Sequence, residues 1–191
     1  MDNIRSVYFL GIGGIGMSNL ARYFMSKGKS VGGYDRAEPL LTKALVKEGA
    51  DIHYADDVAN IPVLYTDKET TLIVYTPAMP DDSPELNYFR EHGFDIHKRA
   101  QVLGLITQSS KALCCAGTHG KTTTSSMLAH ILKGSHLDCN AFLGGILKNY
   151  DSKLMLSDKS EFTVVEADEY DRSFHWLHPY VCYFSNALYT S

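Results

Sequence analysis

The sequence predicts an α/β protein built as a Rossmann-like parallel-sheet domain over residues 1–108, followed by a P-loop α/β domain over 109–191. Short apolar runs alternate with segments of helical period, the pattern of parallel strands joined by crossover helices. "GIGGIG" (11–16) ends the first apolar run and opens a helix. "GTHGKTTT" (117–124) does the same at the start of the second unit.

The elements follow in order. "SVYFLG" (6–11) reads as a buried strand. Met17, Leu20, Ala21, Phe24 and Met25 then fall on one helical face, which Gly28 stops. "SVGGYD" (30–35) is a second strand, and "PLLTKALVKEG" (39–49) a helix with Leu40, Leu41, Ala44 and Leu45 inward. "TTLIVYTP" (70–77) is a third strand, ended by its proline. Pro84 opens a helix at N1, and "FDIHKR" (94–99) and "AQVLGLITQ" (100–108) supply a fourth strand and helix. The polar run "TQSSK" (107–111) reads as a linker. Beyond it lie a strand at 111–117 and a helix at 121–134, whose apolar residues are Met127, Leu128, Ile131 and Leu132. Strands or strand ends follow at 140–145, 161–169 and 180–185.

Composition narrows the function classes. Hydrophobic residues make up 45%, charged residues 21%, and the net charge is −4, which argues against a general nucleic-acid or membrane-surface binder. No apolar run is long enough for a transmembrane helix, and the N-terminus lacks a signal-peptide core. The four cysteines form no CxxC pair and read as reduced thiols in or near a core, so the expected compartment is the cytoplasm.

Gly11, Gly13 and Gly16 match G-x-G-x-x-G between strand and helix. The first glycine permits the tight turn, the second lets the backbone approach a diphosphate, and the third lets helix pack on strand. The helix N-terminus offers its amides to the anion. Asp35, at the end of the next strand, stands where an acid accepts hydrogen bonds from ribose hydroxyls. The motif does not name its ligand: NAD, FAD and a UDP-sugar all carry ribose and diphosphate. An NAD-dependent oxidoreductase is therefore one reading, but it gives no role to the second glycine loop. Arg99 reads as a surface or hinge ion-pair residue.

In that second loop Gly120, Lys121 and Thr122 form the G-K-T core of a phosphate loop. Amides cradle the phosphates, Lys121 reaches the β/γ oxygens and the Thr122 hydroxyl can hold Mg²⁺. The loop is a variant, because Cys115 stands where the usual pattern has its first glycine. "VVEADEYD" (164–171) runs a strand into Glu166, Asp168, Glu169 and Asp171, carboxylates suited to Mg²⁺ beside the loop. Glu166, nearest the strand end, is the preferred ligand. His119 lies inside the loop, within reach of a phosphate or an incoming carboxylate.

"GTHGKTTT" resembles the variant phosphate loop of the Mur ligase family, G-T-x-G-K-[ST]-[ST]. "VYFLGIGGIGMSNLA", "YTPAMP", "KRAQVLG" and "VVEADEYDRSF" are similar to the branch that joins L-alanine to UDP-N-acetylmuramate. A sister branch, which attaches a recycled murein peptide to the same UDP-sugar, shares the acidic motif but usually lacks the G-I-G-G-I-G string. The resemblance implies ATP and Mg²⁺ as cofactors, and UDP-N-acetylmuramate and L-alanine as substrates. It implies that Gly11, Gly13, Gly14, Ile15, Gly16 and Met17, with Asp35 and Thr76, bind the UDP-sugar. It assigns the ATP phosphates to Gly117, Thr118, His119, Gly120, Lys121, Thr122 and Thr123. Mg²⁺ falls to Thr122 and Glu166, and Lys121 and His119 are the catalytic pair. The family has three domains, and an Asp-His-Leu-Asp segment should follow the last strand. "ALYTS" (187–191) does not match it, so the chain is expected to be a fragment, inactive as a ligase by itself.

Overall fold

The computed structural model describes residues 3–147, 152–167 and 173–185. The chain divides into two compact units, Met1–Val102 and Leu103–Ser191.

The first unit holds a five-stranded parallel sheet. Its strands are β1 (Ser6–Leu10), β2 (Ser30–Tyr34), β3 (Asp51–His53), β4 (Thr71–Tyr75) and β5 (Asp95–Lys98), in the order β3-β2-β1-β4-β5. Helices α1 (Ile15–Ser26), α2 (Leu40–Lys47) and α3 (Pro84–Glu91) connect them, and α4 (Arg99–Gln108) leaves β5. β1 is central and wholly buried, as its unbroken apolar run requires. β3 was not expected: three residues ending in a histidine give no periodic signal. α1 buries Met17, Leu20, Ala21 and Phe24 as the pattern predicts, together with Ser18 and Tyr23. α2 buries Leu45 as expected but departs at Leu40, which is 86% exposed, and at Thr42, which is buried. Thr42 can be buried because its hydroxyl donates to the Pro39 carbonyl at 2.9 Å. The expected linker 107–111 is the end of α4, a two-residue turn and the first residue of the next strand.

One carboxyl lies in the core of this unit. Glu85, in the first turn of α3, is fully buried. The Tyr8 hydroxyl lies 2.8 Å from Glu85 Oε2 and 2.6 Å from His53 Nε2, and the Asp57 amide donates to Oε1 at 3.2 Å. His53 Nδ1 faces the Ala55 carbonyl at 2.9 Å. One phenolic proton serves only one of Tyr8's two neighbours, so the second bond needs a proton on Glu85 or His53. Burial pushes the Glu85 carboxyl up to about 7 and pulls the His53 imidazole down.

The second unit holds β6 (Lys111–Gly117), β7 (Asn140–Leu147), β8 (Ser152–Met155), β9 (Phe162–Glu166) and β10 (Val181–Ser185), in the order β10-β6-β9-β7-β8. All pairings are parallel except β7 with β8. α5 (Lys121–Lys133) packs on β6, β7 and β9. Its inward face is Ser125, Ala129 and Leu132, with Leu128 partly buried. Of the helix's apolar residues, Met127 and Ile131 are 61% and 64% exposed. Small residues win the inner face because they let the helix lie close to the sheet. Cys114, Cys115 and Cys139 are buried free thiols, and Cys182 is exposed. Among the described residues no helix is long and apolar enough to cross a membrane.

Candidate functional site

The first loop is shaped by what stands against its glycines. Gly11 has φ +86°, and a Cβ there would lie 2.5 Å from Thr76 Cγ2, just after β4. A Cβ on Gly13 would lie 2.7 Å from Asp35 Oδ2, just after β2. Asp35 accepts the Gly13 amide at 2.6 Å and the Ala37 amide at 3.1 Å, so its carboxylate braces the loop from below. Gly16 was expected to admit a strand. Instead its open side holds Arg99, whose Cδ and Nη1 would each lie 2.9 Å from a Cβ.

α1 begins immediately after this loop. Gly14 is its N-cap, with no side-chain cap and no acid in the first turn. Its first internal bond runs from the Ser18 amide to the Gly14 carbonyl at 2.8 Å. The amides of Ile15, Gly16 and Met17 precede that bond and have no acceptor within the helix. They point where an anion would sit. Met17 contributes only its backbone, because its side chain is buried at 3% exposure. By contrast α3 is capped, with the Ser83 hydroxyl accepting the Leu86 amide.

The second loop is built differently. Gly117 has φ +125° and Gly120, the N-cap of α5, has φ +82°, conformations that favour glycine. A Cβ on Gly117 would overlap the Ser185 carbonyl at the end of β10. The Ser185 hydroxyl donates to the His119 carbonyl. Lys121 Nζ donates to the Gly117 carbonyl at 2.7 Å, folding the ammonium back over the loop. Residues 118–123 and Glu166 line a cavity of about 310 Å³, and His119 is exposed on its wall.

Two expected metal ligands meet there. The Thr122 hydroxyl donates to Glu166 Oε1 at 2.7 Å. The Gly144 amide donates to Glu166 Oε2 at 2.7 Å, and the Ser125 hydroxyl approaches the same oxygen at 3.5 Å. A hydroxyl and a carboxylate on this cavity are the kind of hard oxygen donors that Mg²⁺ takes alongside phosphates. Asp168, Glu169, Tyr170, Asp171 and Arg172 lie outside the described residues, as does the 187–191 segment. Among the described residues no group of three His, Cys, Asp or Glu side chains could hold a metal.

Two contacts at the loops were not foreseen, that of Gly144 with Glu166 and that of Arg99 with Gly16. The glycine pair inside "NAFLGG" carried the signal for the first. Glycine within a strand marks a close approach, here Glu166 against Gly144 and Thr122 Cγ2 against Gly145. Nothing in the sequence directs Arg99 toward Gly16.

Residues 6–111 match the family model described as the Mur ligase family, catalytic domain. UDP-N-acetylmuramate–L-alanine ligase of Parabacteroides distasonis is 64% identical over 98% of the chain, and that of Phocaeicola vulgatus 62% over 95%. The chain spans 40% of the length of each of these relatives. Among solved structures, UDP-N-acetylmuramate-alanine ligase from Thermotoga maritima aligns with TM-score 0.77 and 32% identity, covering 96% of this chain and 42% of that one. UDP-N-acetylmuramate:L-alanyl-γ-D-glutamyl-meso-diaminopimelate ligase from Neisseria meningitides aligns with TM-score 0.78 and 26% identity, over 94% and 59%. With more than half its length matched by the family model and its glycine loops in the expected strand-to-helix turns, the chain belongs to the Mur ligase family.

Proposed function

We propose that this chain supplies the UDP-sugar site and the ATP phosphate loop of a ligase that joins L-alanine to UDP-N-acetylmuramate in peptidoglycan precursor synthesis. The chain spans 40% of its relatives' length, so the complete reaction is proposed for a protein of their kind. The observation that carries the reading is the Thr122–Glu166 contact at 2.7 Å on the Lys121 cavity. The names of the relatives supply the substrates, and identity above 60% favours L-alanine over the murein-peptide branch.

The first unit holds the diphosphate on the uncapped amides of α1, with Asp35 and Thr76 fixing the loop around it. The second unit binds the ATP phosphates on the amides of residues 117–123. A carboxylate is a poor acyl donor and becomes a good one when it takes the γ-phosphoryl group. Lys121 swings from the Gly117 carbonyl to the phosphate oxygens and neutralises charge on the group in transfer. His119, exposed on the cavity wall, faces the incoming carboxylate. Thr122 and Glu166 would hold Mg²⁺, which when bound would supply positive charge to the phosphate in transfer. The amine of L-alanine then displaces phosphate from the acyl phosphate. Four unpaired thiols fit a reducing cytoplasm as the place of action.

Titration calorimetry on the 191-residue chain tests the reading. UDP-N-acetylmuramate should bind, NAD should not, and Mg-ATP binding should depend on Thr122. NAD binding without UDP-sugar binding would sink it.

A further inference from the structure

We propose that Ser185 is a positioning residue of the phosphate loop, whose hydroxyl holds the His119 carbonyl and thereby aims the Gly120 amide at the ATP phosphates. This rests on reading that loop as the ATP phosphate site, and adds a residue from outside the glycine motif.

β10 pairs in parallel with β6, and Ser185 stands directly opposite Gly117 at the carboxyl ends of the two strands. Its Oγ lies against the turn, 2.7 Å from where a Cβ on Gly117 would stand and 3.6 Å from where one on Gly120 would. The hydroxyl has one proton and two carbonyls near it. It donates to His119, the closer acceptor, while the Ala116 carbonyl stands at 3.4 Å. Residues 118–123 and Glu166 line the cavity of the loop, without Ser185. The hydroxyl therefore grips the loop from the side away from the cavity.

A trans peptide is planar and points its carbonyl and its amide in opposite directions. With the His119 carbonyl turned to Ser185, the Gly120 amide of the same peptide points the other way, toward the cavity. That amide has no hydrogen-bond partner among the described residues. Gly120 makes the clamp necessary. Glycine takes positive and negative φ about equally readily, so the 119–120 peptide can turn over at little cost, and the φ of +82° is one of two choices. Turned over, the peptide would present a carbonyl to the phosphates and repel them. The Ser185 hydroxyl selects the orientation that offers a donor, before the nucleotide arrives. Lys121 fastens a different peptide, through the Gly117 carbonyl at 2.7 Å, and gives up that bond when it moves to the phosphate. Ser185 has no need to move.

Ser185→Thr and Ser185→Val are nearly alike in shape and differ in the hydroxyl, which separates the clamp from the packing of the strand. In calorimetry on the 191-residue chain, Mg-ATP binding should weaken about tenfold in Ser185→Val and be largely kept in Ser185→Thr. UDP-N-acetylmuramate affinity should be the same in both. In nitrogen–proton correlation spectra of the unliganded protein, the Gly120 amide resonance should move in Ser185→Val and stay in place in Ser185→Thr. Equal Mg-ATP affinity in the wild type and Ser185→Val, or an equal loss in Ser185→Thr and Ser185→Val, overturns the proposal. Faster amide exchange along the whole of β10 in Ser185→Val also overturns it, since the hydroxyl would then hold the strand and not the loop. A wild-type chain that binds the UDP-sugar but no Mg-ATP rejects the reading of the loop, and the proposal falls with it. Should Ser185→Val not fold, Ser185→Ala decides by the same criteria.

Discussion

The two glycine loops occupy the same place in the chain's grammar, after a buried strand and before a helix without a side-chain cap. They solve the anion problem differently. The first uses extended backbone at its N-cap, with Gly14 at φ −70°, and takes its supporting side chains from other strand ends. The second uses left-handed backbone at Gly117 and Gly120 and carries its own lysine and hydroxyl. On the proposed function, the first loop suits a ligand that must be held and the second a group that must be transferred, where charge has to follow the reacting atoms.

The most damaging way to break the contrast is Gly117→Ala. Alanine is strained at φ +125°, and its Cβ would overlap the Ser185 carbonyl, which is backbone and cannot move aside. The expected cost is at least ~3 kcal/mol, with loss of Mg-ATP binding in calorimetry while UDP-sugar affinity is kept. Gly14→Asp attacks the first loop from the opposite direction. An aspartate at this N-cap would satisfy amides now left for the ligand, adding a few tenths of a kcal/mol in thermal melts. It should weaken UDP-N-acetylmuramate binding about 30-fold, the equivalent of about 2 kcal/mol, so that stability and affinity move apart. A loss of both would show that Gly14 is needed for its conformation alone.

The two glutamates extend the comparison. Glu166 lies among donors at a cavity, whereas Glu85 lies in the core with its carboxyl pushed up to about 7. A carboxyl raised in the folded state holds its proton more tightly there than in the unfolded chain. Its contribution is full below about 4.5 and is lost as pH rises through about 7. His53, pulled down, acts oppositely and disfavours the fold as pH drops below its usual 6.5. Glu85→Gln removes the first dependence. The variant should gain on the wild type across that window, by on the order of 2 kcal/mol at pH 8, in denaturant titrations at several pH values. A constant difference would assign the Glu85 proton wrongly. The smallest effect belongs to the capped helix. Ser83→Ala should cost about 1 kcal/mol in the same titrations and leave both ligands' affinities alone.

The sequence carried the order of strands and helices because buried parallel strands are unbroken apolar runs and glycine punctuates their ends. It pointed to Thr122 and Glu166, which the fold brings together, because one follows a glycine loop and the other ends a strand. β3 and β8 escaped because short strands beside polar segments have no period to read. The inner face of α5 has no apolar signal to read because small residues take part of it: Ser125 and Ala129 lie against the sheet while Met127 and Ile131 are exposed. Glu85 looked like an ordinary acid in a helix's first turn, and only the fold brings Tyr8 and His53 to it. Arg99 meets Gly16, and Gly144 meets Glu166, across sequence distances that no local motif spans.

The contact between the phosphate loop and β10 also bears on how the protein is made. The Ser185 hydroxyl reaches the His119 carbonyl across 66 residues of sequence. Residues 117–122 leave the ribosome as a contiguous string, yet their fold waits for a strand synthesised much later. Until then Gly117 and Gly120 have no carbonyl or hydroxyl from β10 against them, and a peptide cut from 111–134 would carry the motif without its shape. Nascent chains stalled before and after residue 185 should therefore differ in nucleotide binding, although residues 117–123 and Glu166 are present in both.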